Sequence, residues 1–223
     1  MIYGDGADLA TMARLAVDDR IAGLTTNPSL MKQSGVTDYR EFANSVLNIA
    51  HGKPVSFEVL ADDLKEMERQ AKVIASWGKW GNVYVKIPIT NSEGKSTAPV
   101  IAALSSLGIR VNVTAVFTTA QAAAIKLLLS PLDIVSVFCG RIADSGVDPE
   151  DTMMAVRGQI RCKLLWASTR EVFNVKQAER CGCDIITLTP DLIAKMDGFG
   201  RDLNEYSLAT VLQFKRDAEG VTL

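Results

Sequence analysis

The sequence holds one histidine, His51, and four cysteines, Cys139, Cys162, Cys181 and Cys183. No two cysteines have the CxxC spacing, and Cys181-Gly182-Cys183 stands too isolated to read as a metal site, so a His- or Cys-based metal centre is excluded. There is no excess of basic charge: Lys and Arg total 24 against 26 Asp and Glu, a net charge of −2. That balance argues against a general nucleic-acid binder, which carries a basic face. No apolar run approaches the roughly 18 residues of a membrane-spanning helix. No basic-then-apolar segment opens the sequence, so the expected compartment is the reducing cytoplasm, with neither nucleic acid nor membrane as partner. Gly4-Asp5-Gly6 is only a GxG, and no GxGxxG turn or Walker loop appears, so the usual nucleotide-cradling loops are missing.

What is present is ordinary for a globular protein. Apolar residues make up 48% and charged residues 22% of the 223, too apolar for a disordered chain. At roughly 150 residues per domain the length allows one large domain or two small ones. No Pro/Gly-rich break divides it, which favours one domain over residues 1–223.

Strand-like and helix-like segments alternate along the chain. Runs rich in β-branched residues lie at Met1–Gly4, Ile21–Thr26, Val55–Leu60, Asn82–Ile89, Arg110–Phe117, Asp133–Phe138, Lys163–Ala167 and Asp184–Leu188. Several are nearly continuous apolar runs, the pattern of parallel strands covered on both faces. Between them, helical patterns cover Asp8–Val17, Tyr39–Ala50, Asp62–Ser76, Ser96–Leu107, Thr119–Leu129 and Pro149–Arg161. Shorter helices fit Val175–Arg180 and Pro190–Met196, and a final one fits Leu203–Asp217. Thr118 is placed to cap one helix, and Pro149 suits the first helical position after Asp148. Eight β/α units in one chain predict an α/β fold, a single (β/α)₈ TIM barrel with an extra C-terminal helix. A doubly wound open sheet is the alternative, and it generally uses fewer strands.

In such a barrel the chemistry gathers at the C-terminal ends of the strands. Read in order, those ends carry Asp5, Asn27, Glu58, Lys86, Asn112 with Thr114, Arg141, Ser168 with Arg170, and Thr187 with Thr189. Lys86 lies inside Val83-Tyr84-Val85-Lys86-Ile87-Pro88-Ile89. Burial strips water from an ammonium and favours the neutral amine, the nucleophile of Schiff-base chemistry. A snorkelling lysine or half of an ion pair is the plainer reading of the same pattern. Asp5 and Glu58 are candidate acid/base groups, or else partners of a buried cation. Arg141, Ser168 and Arg170 have the donors to grip a phosphate, whereas two surface ion pairs would explain the arginines equally. Asn112 and Thr114 share one strand face. Trp77, Trp80 and Trp166 read as packing residues, with a pocket role open for Trp166.

Taken together, these residues resemble the small transaldolase and fructose-6-phosphate aldolase family of class I aldolases. The resemblance spans nearly the whole chain. It rests on Gly23-Leu24-Thr25-Thr26-Asn27-Pro28-Ser29, Val85-Lys86-Ile87-Pro88, Asn112-Val113-Thr114-Ala115-Val116-Phe117 with Gln121-Ala122, Gly140-Arg141-Ile142 with Asp144 and Gly146, and Ala167-Ser168-Thr169-Arg170.

The resemblance implies that Lys86 forms the Schiff base with a ketose and that Asp5 takes the hydroxyl proton as the carbon–carbon bond breaks. It implies that Glu58 and Thr114 hold a water, that Asn27 and Asn112 hold substrate hydroxyls, and that Arg141, Ser168 and Arg170 bind a sugar phosphate. No metal or organic cofactor is implied, because a protonated imine is itself the electron sink. Glu58 and Phe138 stand where the aldolase branch carries Gln and Tyr, which favours transfer of a dihydroxyacetone unit over its release. The alternatives are an aldolase releasing free dihydroxyacetone and a non-catalytic sugar-phosphate-binding barrel. Two departures stand out: Gly6-Ala7 follows Asp5 where relatives often carry a hydroxyl residue, and Trp166 occupies a position where they often have a small one. By the same resemblance the chain forms a homo-oligomer, a pentamer or decamer, with the helix near 203–217 packing on a neighbouring subunit.

Overall fold

A computed structural model describes residues 1–78 and 82–222 of the chain. Trp80 lies outside the described residues. Eight parallel strands close into a barrel in sequence order, β1 pairing with both β2 and β8. They are β1 (Ile2–Asp5), β2 (Ile21–Thr25), β3 (Val55–Glu58), β4 (Val83–Pro88), β5 (Val111–Val116), β6 (Ile134–Val137), β7 (Lys163–Trp166) and β8 (Ile185–Leu188). The expected (β/α)₈ barrel is therefore the fold.

Helices surround the strands. They are α1 (Leu9–Val17), α2 (Pro28–Gln33), α3 (Tyr39–Ile49), α4 (Leu64–Ala75), α5 (Ala98–Ser106), α6 (Thr119–Ile125), α7 (Cys139–Asp144), α8 (Pro149–Arg157), α9 (Asn174–Arg180), α10 (Pro190–Lys195) and α11 (Leu203–Asp217). Caps explain several starts. Thr118 accepts the Gln121 N–H while the Gln121 side chain accepts the Thr118 N–H, so two otherwise unpaired donors are satisfied reciprocally. Asp148 accepts the Glu150 N–H, with Pro149 in the first helical turn. Two helices end earlier than their sequence pattern, α6 at Ile125 and α8 at Arg157, where Gly158 follows as the C-cap. Two short helices lie directly after β2 and β6: α2 begins at the Asn27-Pro28 turn, whose plain reading is a helix entry, whereas α7 has no such signal in the sequence.

Alternation along the strands builds two apolar layers. Outward residues such as Val85, Val113, Val135 and Leu164 pack against the helices. Inward residues Tyr3, Tyr84, Ile134, Leu165 and Ile185 fill the barrel. Gly23 is needed here, because a Cβ would run into the ring of Tyr3 at 2.6 Å. Trp166 is buried in the outer layer, while its neighbours Leu165 and Ala167 face the barrel mouth. The indole therefore does not shape the pocket. Trp77 packs edge-on against Tyr39 and Phe57, as a packing residue should. Among the described residues no helix is long and apolar enough to cross a membrane.

Candidate active site

Above the apolar plug, the C-terminal mouth of the barrel opens into a cavity of about 530 Å³. Asp5, Asn27, Glu58 and Lys86 line it from β1 to β4, and Asn112, Thr114, Phe138, Arg141, Ser168 and Arg170 from β5 to β7. Thr187 and Thr189 complete the wall from β8. All the sequence-predicted positions thus converge on one site.

Strand register explains the central cluster. Glu58 pairs with Lys86 across β3 and β4, and Lys86 with Asn112 across β4 and β5, so three inward side chains share one level. Lys86 is buried, 7% exposed. Its Nζ donates to the Thr26 carbonyl at 2.7 Å and lies 3.1 Å from Glu58 Oε2. The lysine is thus one half of an ion pair, and that pair stands in the cavity rather than on the surface. Glu58 Oε1 accepts from the Thr114 hydroxyl at 3.2 Å.

Asp5, on the opposite side, accepts from the Thr25 hydroxyl at 2.8 Å. Burial pushes its carboxyl above the usual range; Lys86 and the Thr25 bond pull it down, and Glu58 pushes it up. Desolvation wins, so Asp5 keeps its proton to a higher pH than an ordinary aspartate.

Two amides are held by neighbours. Asn112 Oδ1 accepts from Ser136 at 2.6 Å, and its Nδ2 donates to Ser56 at 3.3 Å. Asn27 caps α2, accepting the Leu30 N–H at 3.0 Å, which leaves its amide N–H groups for other partners. Ser136, Thr25 and Ser56 were missed in the sequence. The signal was there, since each sits two residues before a named position or its strand end and so shares its inward face.

Strand β5 bulges beside the site. Its register shifts between Val113 and Val116, and Ala115 has φ 54°. A non-glycine residue there costs roughly 1–3 kcal/mol, a strain that clusters at functional sites. The bulge brings both Thr114 and Ala115 onto the cavity wall.

The rim is cationic. Arg141, on α7, lies over the Phe138 ring with 5.7 Å to its centroid. Arg170 forms an ion pair with Asp144 at 2.6 Å, so the surface ion pair considered for it is real, yet the residue also borders the cavity. Ser168 adopts φ 64° between them. An amine, two carboxylates, two amides and two guanidiniums therefore face one space. That set suits covalent carbonyl chemistry on a polyhydroxylated, anionic molecule. Among the described residues no group of three or more His, Cys, Asp or Glu side chains is arranged to hold a metal ion.

Solved structures with similar folds include a thiamine phosphate pyrophosphorylase from Pyrococcus furiosus, at TM-score 0.57 and 8% identity over 84% of each chain. A putative phosphonomutase from Burkholderia cenocepacia matches at TM-score 0.61 and 14% identity, covering 95% of this chain and 93% of the other. At such identities the likeness concerns the barrel alone. Sequence relatives say more. A protein named probable transaldolase from Streptococcus agalactiae is 32% identical over 214 residues, 94% of each chain. Another of that name, from Chelativorans sp., is 34% identical over 199 residues, 87% of each chain. The family model described as Transaldolase/Fructose-6-phosphate aldolase matches residues 2–222. With a lysine–carboxylate cluster at the mouth of a (β/α)₈ barrel and relatives aligned along its length, this chain belongs to the transaldolase/fructose-6-phosphate aldolase family.

Proposed function

We propose that the protein is a transaldolase that moves a dihydroxyacetone unit from a ketose phosphate, sedoheptulose 7-phosphate or fructose 6-phosphate, to an aldose phosphate. The observation that carries this reading is the buried Lys86 amine beside Glu58 at the cavity floor, with Asp5 in the same cavity. Glu58 takes a proton from the Lys86 ammonium, the freed amine adds to the ketose carbonyl, and water leaves as that proton is returned, giving a protonated imine. Asp5 takes the proton of the C4 hydroxyl; the C3–C4 bond breaks and its electron pair flows into the imine. The aldose departs and an enamine of dihydroxyacetone stays on Lys86. The enamine carbon then attacks the incoming aldehyde, Asp5 returns its proton to the new alkoxide, and water hydrolyses the imine.

Glu58 and Thr114 hold the water used in imine formation and hydrolysis, which their hydrogen bond to each other supports. Asn27 and Asn112 orient the sugar hydroxyls through the N–H groups their neighbours leave free. Arg141, Ser168 and Arg170 take the phosphate. No metal or organic cofactor enters the sequence of steps. Phe138 gives the cavity a ring without a hydroxyl, which supports transfer over release, since the phenolic hydroxyl that would help Glu58 and Thr114 position water for product release is missing from that ring.

The assembly is a homo-oligomer, pentamer or decamer, built with α11. No residue of that helix is buried against its own barrel, and Leu208, Val211 and Leu212 stand exposed at i, i+3, i+4 spacing. The location is the cytoplasm, which subcellular fractionation tests.

A coupled assay with fructose 6-phosphate and erythrose 4-phosphate tests the activity. Product formation that depends on the acceptor is expected. Release of free dihydroxyacetone without acceptor, as fast as transfer, would assign the chain to the aldolase branch; binding without turnover would leave only a sugar-phosphate-binding barrel.

A further inference from the structure

Arg170 reaches the cavity rim with much of its guanidinium already committed. Its Nε donates to both Asp144 carboxylate oxygens at 3.0 and 3.1 Å, and Nη2 donates to Oδ2 at 2.6 Å. Its Nη1 donates to the Ser168 carbonyl at 3.1 Å. A guanidinium has five N–H groups, so three are used and two Nη hydrogens remain. The loop backbone is fixed as well, because the Asn174 side chain accepts the N–H groups of Arg170 and Glu171 at 2.9 and 3.2 Å.

The fit depends on a glycine. A Cβ at Gly140 would overlap the Ser168 carbonyl oxygen and come within 3.1 Å of Arg170 Cγ. The missing side chain lets the loop after β7 lie directly on α7, which brings Arg170 to Asp144. Asp144 and Arg141 are three residues apart on α7 and so neighbours on its surface. Among the described residues Arg141 makes no ion pair. The half-exposed Arg170–Asp144 pair, with side chains 46% and 53% accessible, adds little to stability in water. Its geometric effect is larger, since a bidentate pair fixes the plane of an otherwise mobile side chain.

We propose that Asp144 is a positioning residue for recognition of the substrate's anionic group: by gripping the Nε–Nη2 edge it presents the two remaining Nη hydrogens of Arg170 to the cavity, beside Arg141. This rests on the reading of the substrates as sugar phosphates. Asp144 does not itself touch the substrate; it acts through Arg170.

The test measures KM and kcat of the full chain for erythrose 4-phosphate and for unphosphorylated erythrose, together with calorimetric affinity for inorganic phosphate. Asp144→Ala is expected to raise KM for the phosphorylated acceptor by about tenfold, roughly the loss of one well-oriented charge-assisted hydrogen bond, and to weaken phosphate binding similarly. The phosphorylated-to-unphosphorylated ratio of kcat/KM falls by the same factor. Asp144→Glu, which keeps the carboxylate, regains most of it. In an Arg170→Ala background, Asp144→Ala adds no further loss. Equal effects on both acceptors, tighter phosphate binding in Asp144→Ala, or full additivity with Arg170→Ala would each overturn the proposal. A thermal melt of each variant separates these outcomes from unfolding. If phosphate binding weakens as described while even the unaltered chain transfers nothing, the role of Asp144 stands and the transaldolase reading fails.

Discussion

The Thr114 hydroxyl donates to one oxygen of Glu58 while the other oxygen of Glu58 lies 3.1 Å from Lys86 Nζ, so a single carboxylate joins the hydroxyl to the amine. This geometry separates charge from shape as the source of function. Glu58→Gln keeps an oxygen for Thr114 and the same length, but it removes the proton-accepting carboxylate. We expect kcat to fall by about 10²–10⁴-fold, the usual range for a lost acid/base group, with the fold intact by circular dichroism. A kcat within threefold of the original enzyme would show that Glu58 is only an ion-pair partner.

Asp5 ties activity and stability to pH in opposite directions. Its carboxyl is held above the ordinary value, burial being the largest cause. The folded state therefore binds this proton more readily than the unfolded chain, and stability falls as pH rises from the ordinary aspartate range through the folded value. Above that window the charged Asp5 is a standing cost; below the ordinary range the cost vanishes. Asp5→Asn should raise Tm at pH 7, by about 2–4 °C for each kcal/mol recovered in a chain of this size. The gain should shrink to nothing in acid. Transfer activity should meanwhile drop by orders of magnitude, and the acid limb of the original kcat/KM profile should lie above the ordinary aspartate range. A lower Tm at pH 7 for Asp5→Asn, with folding otherwise intact, would contradict the sign.

The exposed apolar stripe on α11 makes a prediction about mass. Sedimentation of the intact chain should give a multiple of the 24.1 kDa subunit, five or ten. Charged replacements at Leu208 and Leu212 should reduce that mass while far-ultraviolet circular dichroism shows the barrel still folded. A monomer from the start would remove α11 from any assembly role.

Much of this architecture was legible because parallel strands and inward periodicity leave direct marks in sequence. The β-branched runs located all eight strands to within two residues at every end. Polar residues breaking those runs located the mouth, and the two-residue period put Asn112 beside Thr114. The short helix α7 was not legible and α2 showed only as a helix entry at Asn27-Pro28, since six residues carry too little periodicity to stand out. Yet α7 carries Arg141 and Asp144. The contact between Gly140 and the Ser168 carbonyl was equally hidden, because it joins α7 to the loop after β7, 28 positions on in chain order, through an absent side chain. Trp166 is a packing residue, as its sequence setting suggests: alternation turns the indole to the helix layer and closes the pocket role that adjacency to Ala167 and Ser168 left open.

The proposed chemistry turns on the Lys86 amine, and borohydride trapping reports on that amine. The intact protein is incubated with fructose 6-phosphate, reduced, digested and read by peptide mass spectrometry. A reduced ketose or dihydroxyacetone adduct is expected on the peptide holding Lys86, absent in Lys86→Met. No adduct on Lys86 from this sugar or from sedoheptulose 7-phosphate, in protein shown to be folded, would contradict that chemistry.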